Sequence, residues 1–316
     1  MPIRKQLAAT FVKKMRTADF WIHCLVYGFL LISLLPISLW VAETAESQSR
    51  IFHALVVLVF ACVLLVRFGR IEIKQPLSLN PSARGYLYTA FALIVTSVLL
   101  KQLLPADNPS IAMIVGLISI PAYCSSLGSL ILFVFGSGTK RLTRTAVLTF
   151  CTFLLLSIFM QPLDWPLRSL AGQWSGGILD LIGKNVEFAL HRAAETGAPQ
   201  LLMFVNDHPF HVASECNGFG VILTSLLLAF MLAIYRRLGV VDILLNIVAG
   251  AILGFIFNTL RIVVIVLLAP SLMDHYHLMH EIVGTISYWS CLALLWVFLN
   301  GPIKDEQAPR QTHRHN

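Results

Sequence analysis

The sequence predicts an all-α polytopic membrane protein with about eight transmembrane helices and both termini on the cytoplasmic side. Three observations predict it. Of 316 residues, 57% are apolar and 12% charged, about half the charged share of a soluble domain, and mean hydropathy is +0.78. Hydrophobic runs of about 16 to 27 residues recur along the chain, and about 20 apolar residues cross a bilayer as a helix. Lys and Arg are distributed unequally between alternate loops. This balance excludes a soluble fold, a disordered tail and a nucleic-acid reader, the last two of which need many more charges.

The runs occupy 20–41, 51–66, 86–104, 111–135, 145–160, 216–235, 243–269 and 282–299. Transmembrane β-strands would be about 10 residues long with alternating polarity, and that pattern is absent. The first run is longer than the apolar core of a signal peptide and lacks a small-x-small cleavage site, so it is expected to be a retained anchor. One side of the membrane takes Arg4, Lys5, Lys13, Lys14, Arg16, Arg67, Arg70, Lys74, Arg84, Lys140, Arg141, Arg144, Arg236, Arg237, Lys304, Arg310 and Arg314, which is 17 of the 23 basic residues, and 5 of the 16 acids. The other side holds 6 basic residues and 11 acids. The formal charge of +7 therefore divides into +12 inside and −5 outside. It reports orientation and implies no acidic partner.

This organisation gives a basic cytoplasmic segment at 1–19, one transmembrane domain at 20–300 and a polar cytoplasmic tail at 301–316, expected to be disordered. The one long loop, 161–215, lies on the outer face. From 165 to about 194 it mixes Leu167, Leu170, Trp174, Ile178, Leu181, Ile182 and Phe188 with charges at helical spacing. That pattern predicts one or two amphipathic helices on the membrane surface, with Trp165 and Trp174 in the interfacial belt. After a Gly-Ala-Pro break at 197–199, the segments 201–205 and 210–213 flank Asn-Asp-His-Pro and predict a short extended hairpin.

Five of the six cysteines, Cys24, Cys62, Cys124, Cys151 and Cys291, fall inside apolar runs and are read as small hydrophobes. Cys216 falls where the outer loop meets the sixth run, and no other cysteine lies in an outer loop to pair with it. It is a candidate reactive thiol. Arg261 lies inside the seventh run. Taken alone it could snorkel to outer headgroups, but a charge within a span is also a functional-site hypothesis. It is 18 residues beyond Ile243, about 27 Å up a helix at 1.5 Å per residue, which places it near the outer interface. His280 opens the eighth run from outside and, alone, reads as an interfacial histidine.

The predicted topology puts all three at one depth on the outer side of three antiparallel helices. The topology came from hydropathy and Lys/Arg placement without reference to these residues. A thiol at a helix N-terminus and beside a cation is shifted toward the thiolate, and Ser214 is a good N-cap for a helix starting there. Arg261 suits an oxyanion forming on an attacked carbonyl. His280 suits proton transfer from the thiol and to a leaving amine. Together they predict acyl transfer through a thioester, with no cofactor or metal required. Three other readings stand beside this one. A metal site could use His208 and His211, or His275, His277, His280 and Glu281, but no HExxH is present and the second set does not share one helical face. A transporter could use Arg261 for an anion, although no repeated halves or paired broken spans appear. A plain membrane assembly factor would need none of the three residues.

The residues Ser214-Glu215-Cys216-Asn217-Gly218, Asn258-Thr259-Leu260-Arg261 and His280-Glu281-Ile282-Val283-Gly284 resemble the exosortase/archaeosortase family, multipass transpeptidases of prokaryotes. The family pattern is a Cys in an E-C-S-G type motif, an N-x-x-R helix, and a His shortly before a Gly-containing final span. The order and the membrane side agree. The motifs cover about 200–300, and the eight-span layout covers the chain. Asn217 departs from the Ser usual after the Cys, which leaves the nucleophile intact and puts the subfamily and sorting motif in question. The resemblance implies that Cys216, Arg261 and His280 are catalytic, with Glu215, Asn217 and Asn258 orienting the triad or substrate, or capping structure. It implies secreted partners that carry a C-terminal signal: a short motif such as Pro-Glu-Pro, a transmembrane helix and a basic cluster. It further implies a cell-membrane location with an extracytoplasmic active site. The acyl acceptor is left open between water, an amine and a lipid.

Overall fold

The computed structural model describes residues 3–47, 49–68, 74–103, 109–159, 163–192, 199–206, 208–212 and 219–301. Among the described residues, eleven α-helices and three strands form two compact units, Met1–Ile158 and Phe159–Asn316. Among the described residues, five helices are long and apolar enough to cross a membrane: Pro81–Leu103, Met113–Phe135, Ser137–Phe159, Val240–Ser271 and Met273–Leu299. A bent pair, Ala18–Ser33 with Leu35–Glu43, makes a sixth if counted as one span. Two shorter apolar helices, Ala54–Val66 and Gly220–Tyr235, fall on the remaining two hydrophobic runs. The chain is thus a predominantly α-helical polytopic membrane protein with a small three-stranded sheet.

The first unit holds α1 (Ile3–Lys14), α2 (Ala18–Ser33), α3 (Leu35–Ser47), α4 (Ser49–Phe68), α5 (Pro81–Leu103), α6 (Pro109–Phe135) and α7 (Lys140–Phe159). The first apolar run does not form one straight helix. It bends by 51° between α2 and α3, where Pro36 has no N–H to continue the ladder. Phe20, Tyr27, Leu30, Leu34, Leu77, Leu87 and Phe133 form its core. Buried polar groups there pair with one another: the Tyr27 hydroxyl lies 2.7 Å from Ser129 Oγ, which donates to the Ala83 carbonyl at 2.8 Å. Asn80 caps α5 by accepting from the Ala83 N–H and ties it to α6 by donating to the Leu132 carbonyl.

The second unit holds α8 (Asp164–Leu181), β1 (Val186–Arg192), β2 (Pro199–Val205), β3 (His208–Val212), α9 (Phe219–Tyr235), α10 (Val240–Leu268) and α11 (Tyr276–Leu299). The outer loop departs from the expected helices in its second half. Only 164–181 is helical. The helix ends at Gly183, φ +81°, with the Lys184 N–H on the Leu179 carbonyl and the Gly183 N–H on the Asp180 carbonyl, a Schellman termination. Residues 186–192 then form a strand, because Val186, Phe188 and Leu190 alternate with Glu187, Ala189 and His191, a period of two. The expected hairpin is present as β2 and β3, with Val205 opposite His208. Asn206 adopts φ +49°, as tight hairpin turns require. β1 adds to it antiparallel, giving sheet order β1-β2-β3.

The helix α8 packs along the C-terminal part of α10. Its buried Ala171 and Leu179 join Leu201, Met203 and Val205 of the sheet and Ile262, Val263 and Val266 of α10 in one core. Ser175 Oγ donates to the Ala171 carbonyl and reaches the Thr259 carbonyl at 3.3 Å. Trp174 meets Phe255 edge-on. Trp174, Leu170 and Leu181 remain exposed, the apolar outer face expected of an interfacial element.

The sixth run, α9, is apolar all round because nearly all of it is buried. It meets α10 at Gly250 and Gly254, a small-xxx-small pair. A Cβ at Gly250 would lie 2.8 Å from the Ser225 carbonyl oxygen, and one at Gly254 would lie 2.9 Å from Ile222 Cα. It meets α11 through polar pairs: Tyr288 OH donates to Thr224 Oγ1 at 3.3 Å, and Ser225 Oγ lies 3.3 Å from Cys291 Sγ. At the other end of these helices Arg236 Nη1 donates to the Leu299 carbonyl at 2.7 Å, closing the end of α11 with a cation.

Candidate active site

Arg261 sits seven residues from the end of α10, on the side that meets α11. His280 sits in the second turn of α11, since that helix begins at Tyr276 rather than at the expected 282. A short 3-10 turn at Met273–His275 leads directly into it. Arg261 Nη2 lies 3.5 Å from His280 Nε2. A guanidinium has only donors, so in a hydrogen bond between the two Nε2 is the acceptor. Tyr276, one turn before His280, stands beside it with ring centroids 6.1 Å apart. Both Arg261 and His280 are half-buried.

Behind the pair, Met279 and Val283 pack with Ile265 and Ala269, which fixes the angle between α10 and α11. Gly284 lies against the guanidinium itself. A Cβ there would stand 2.9 Å from Nη2 and 3.1 Å from Cζ and Nε of Arg261.

Asn258 precedes Arg261 by one turn and is fully buried. Neither end of its amide has a hydrogen-bond partner among the described residues, which is unusual for a buried polar side chain. It continues the row Gly250, Gly254, Asn258 that faces α9. Gly254 is level with Ile222, so in the antiparallel pair Asn258 is level with about Phe219, the first described residue of α9.

Cys216, Glu215 and Asn217 lie outside the described residues, as do Ser214 and the tail after Gly301. The described cysteines are free thiols on helices. His277 Nδ1 is 3.9 Å from Glu281 Oε1 on the exposed face of α11. Among the described residues no three His, Cys, Asp or Glu side chains are grouped as metal ligands. Two features of this region escaped the sequence reading. Gly284 has no role evident from the sequence, and its spacing from His280 (one turn, the same face) is the signal that bears on it. Arg168 on α8 is a second, 8% exposed guanidinium in this unit, and its spacing with Ala171, Ser175 and Leu179 marks the buried stripe.

The model of the family described as Transmembrane exosortase (Exosortase_EpsH) matches residues 40–297. The chain belongs to the transmembrane exosortase family. The match takes in every motif named above and most of both compact units. Among curated proteins and among solved structures nothing matches the chain. Exosortases are cysteine transpeptidases of the membrane that act on secreted proteins with C-terminal sorting signals. The chain is a multipass membrane enzyme of this kind.

Proposed function

We propose that this exosortase uses Cys216 as its nucleophile at the extracytoplasmic face of the cytoplasmic membrane and forms a thioester with its substrate. The observation that carries the reading is the approach of Arg261 and His280 on neighbouring helices, 19 residues apart in sequence. Phe219 lies level with Asn258 and only three residues after Cys216, and three residues span at most about 10 Å. This reading takes the thiol to the same end of the α9–α10 pair.

The step follows from these groups. The Cys216 thiol gives its proton to the His280 imidazole, and sulfur attacks the scissile carbonyl carbon. The electron pair moves to the carbonyl oxygen, and Arg261 stabilises that oxyanion. As the C–N bond breaks, the imidazolium returns the proton to the departing amine. An acceptor nucleophile then attacks the thioester, its proton passes to His280, and the thiol is restored. Water as acceptor gives a protease, and an amine or lipid gives a transferase. Glu215, Asn217 and Asn258 orient the triad or the substrate. The substrate signal is of the Pro-Glu-Pro type, with a transmembrane helix that docks beside α9, α10 and α11 and a basic cluster left inside.

The test is substitution in the native host. Cys216→Ala, Arg261→Ala and His280→Ala are each expected to insert normally and to abolish processing of a secreted protein bearing such a signal. Full processing by Cys216→Ala overturns the thioester mechanism.

A further inference from the structure

Gly284 is the only glycine in α11, and its surroundings differ from those of Gly250 and Gly254 on α10. At Gly250 the nearest obstacles to a side chain include the Ser225 backbone, and at Gly254 the Ile222 backbone. Those glycines permit two helices to touch. At Gly284 all three nearest atoms belong to one group, Nη2, Cζ and Nε of Arg261, at 2.9 to 3.1 Å. The guanidinium therefore lies where a side chain of α11 would otherwise be, and Nη2 is both the atom closest to that position and the atom that meets His280.

We infer that Gly284 is a positioning residue: its missing side chain is the seat that holds the Arg261 guanidinium against α11 and beneath His280. This deepens the thioester reading and rests on it for the chemical role of Arg261. His280 and Gly284 are four apart on α11 and share a face, so one helix both backs the guanidinium and presents the imidazole to it. A methyl group at 284 would meet the far end of a flexible side chain rather than backbone. The fold would accept it, and the guanidinium would swing away. Gly301 supplies an internal contrast. A Cβ there would stand equally close to a guanidinium, 2.8 Å from Nη2 of Arg236, but Arg236 donates to the Leu299 carbonyl and serves the helix end.

The experiment is a double-mutant cycle in membranes of the native host. Gly284→Ala is expected to accumulate and resist thermal unfolding like the unmodified protein while processing slows on the order of tenfold to a hundredfold, the effect of a misplaced catalytic group. Gly284→Val is expected to slow it further. In an Arg261→Lys background, where no planar head rests on position 284, adding Gly284→Ala is expected to slow processing less than about twofold. Cys216 alkylation by a membrane-impermeant reagent is followed in the same variants, so that a background too slow for processing still reports, with the same pattern expected. Native-rate processing by Gly284→Ala overturns the inference. So does an equal loss in both backgrounds, which would mean helix packing alone. The Cys216→Ala control separates the two claims: normal processing there removes the thioester while the cycle still decides whether position 284 acts through Arg261.

Discussion

Arg261 Nη2 and His280 Nε2 stand 3.5 Å apart, bridging α10 and α11 in the half of the unit that also carries the sheet. Neither residue touches its partner by helix periodicity, since they lie on different helices. Their meeting depends on the crossing fixed by Ile265, Ala269, Met279 and Val283. A planar group with several donors beside an imidazole is an arrangement suited to stabilising an anion while keeping a proton-transfer group at hand.

Arg261→Lys keeps the charge and loses the planar fork. It is expected to insert normally and to lower processing by about a hundredfold or more, the scale of losing an oxyanion donor. Precursor and product are followed by immunoblot in the host. Activity within about threefold of native would mean that only charge matters at 261.

His280→Gln retains a polar group able to reach Arg261 but cannot shuttle a proton. Loss of about 10²- to 10⁴-fold is expected, with membrane accumulation unchanged. Retained activity in this variant would remove His280 from proton transfer and leave it a contact of Arg261.

A membrane-impermeant thiol reagent applied from outside is expected to label the unmodified protein, and Cys216→Ala is expected to escape labelling. The other five cysteines lie on apolar helices. Labelling only after the cytoplasmic face is opened would invert the orientation derived from the loop charges.

Gly250→Ala and Gly254→Ala press a methyl group onto the backbone of α9. Each is expected to destabilise the unit by about 1–3 kcal/mol, as overpacking does, read as a lower thermal unfolding midpoint in detergent. This is the opposite profile to Gly284→Ala, and an unchanged midpoint would show that α9 and α10 can part at little cost.

Asn258→Leu replaces a buried amide that bonds to nothing among the described residues with an apolar group of similar size. A fold that gains nothing from the amide tolerates this change or is stabilised by it. Stability equal to or above native, with reduced processing, is expected. A variant with full activity would make Asn258 a packing residue.

Much of the architecture was legible in the chain itself. Hydrophobic length located the helices, because in lipid each backbone group must be satisfied within its own helix and about 20 apolar residues suffice. The bend at Leu34 is written in Pro36. The hairpin at 199–212 is written in two short apolar segments flanking Asn-Asp-His-Pro and in Asn206, which accepts positive φ. Periodicity misled at 186–192: Phe188 fitted a helical stripe extended from α8, but Gly183 ends that helix and the strand pairs with β2 across a connection that no local window sees. The early start of α11 was missed because Tyr276, His277 and His280 are too polar to enter a hydropathy run.

The sequence by itself located the hydrophobic runs and, through Lys and Arg placement, predicted a +12 and a −5 side and named three residue types suited to acyl transfer, since each depends on local composition or on order along the chain. Tertiary structure alone decided that Arg261 reaches His280, that Gly284 is the surface on which the guanidinium rests, and that α8 and the sheet close over Ile262, Val263 and Val266. Those facts depend on how far each helix is rotated about its axis and where it crosses its neighbour. Side-chain packing between distant segments sets both quantities.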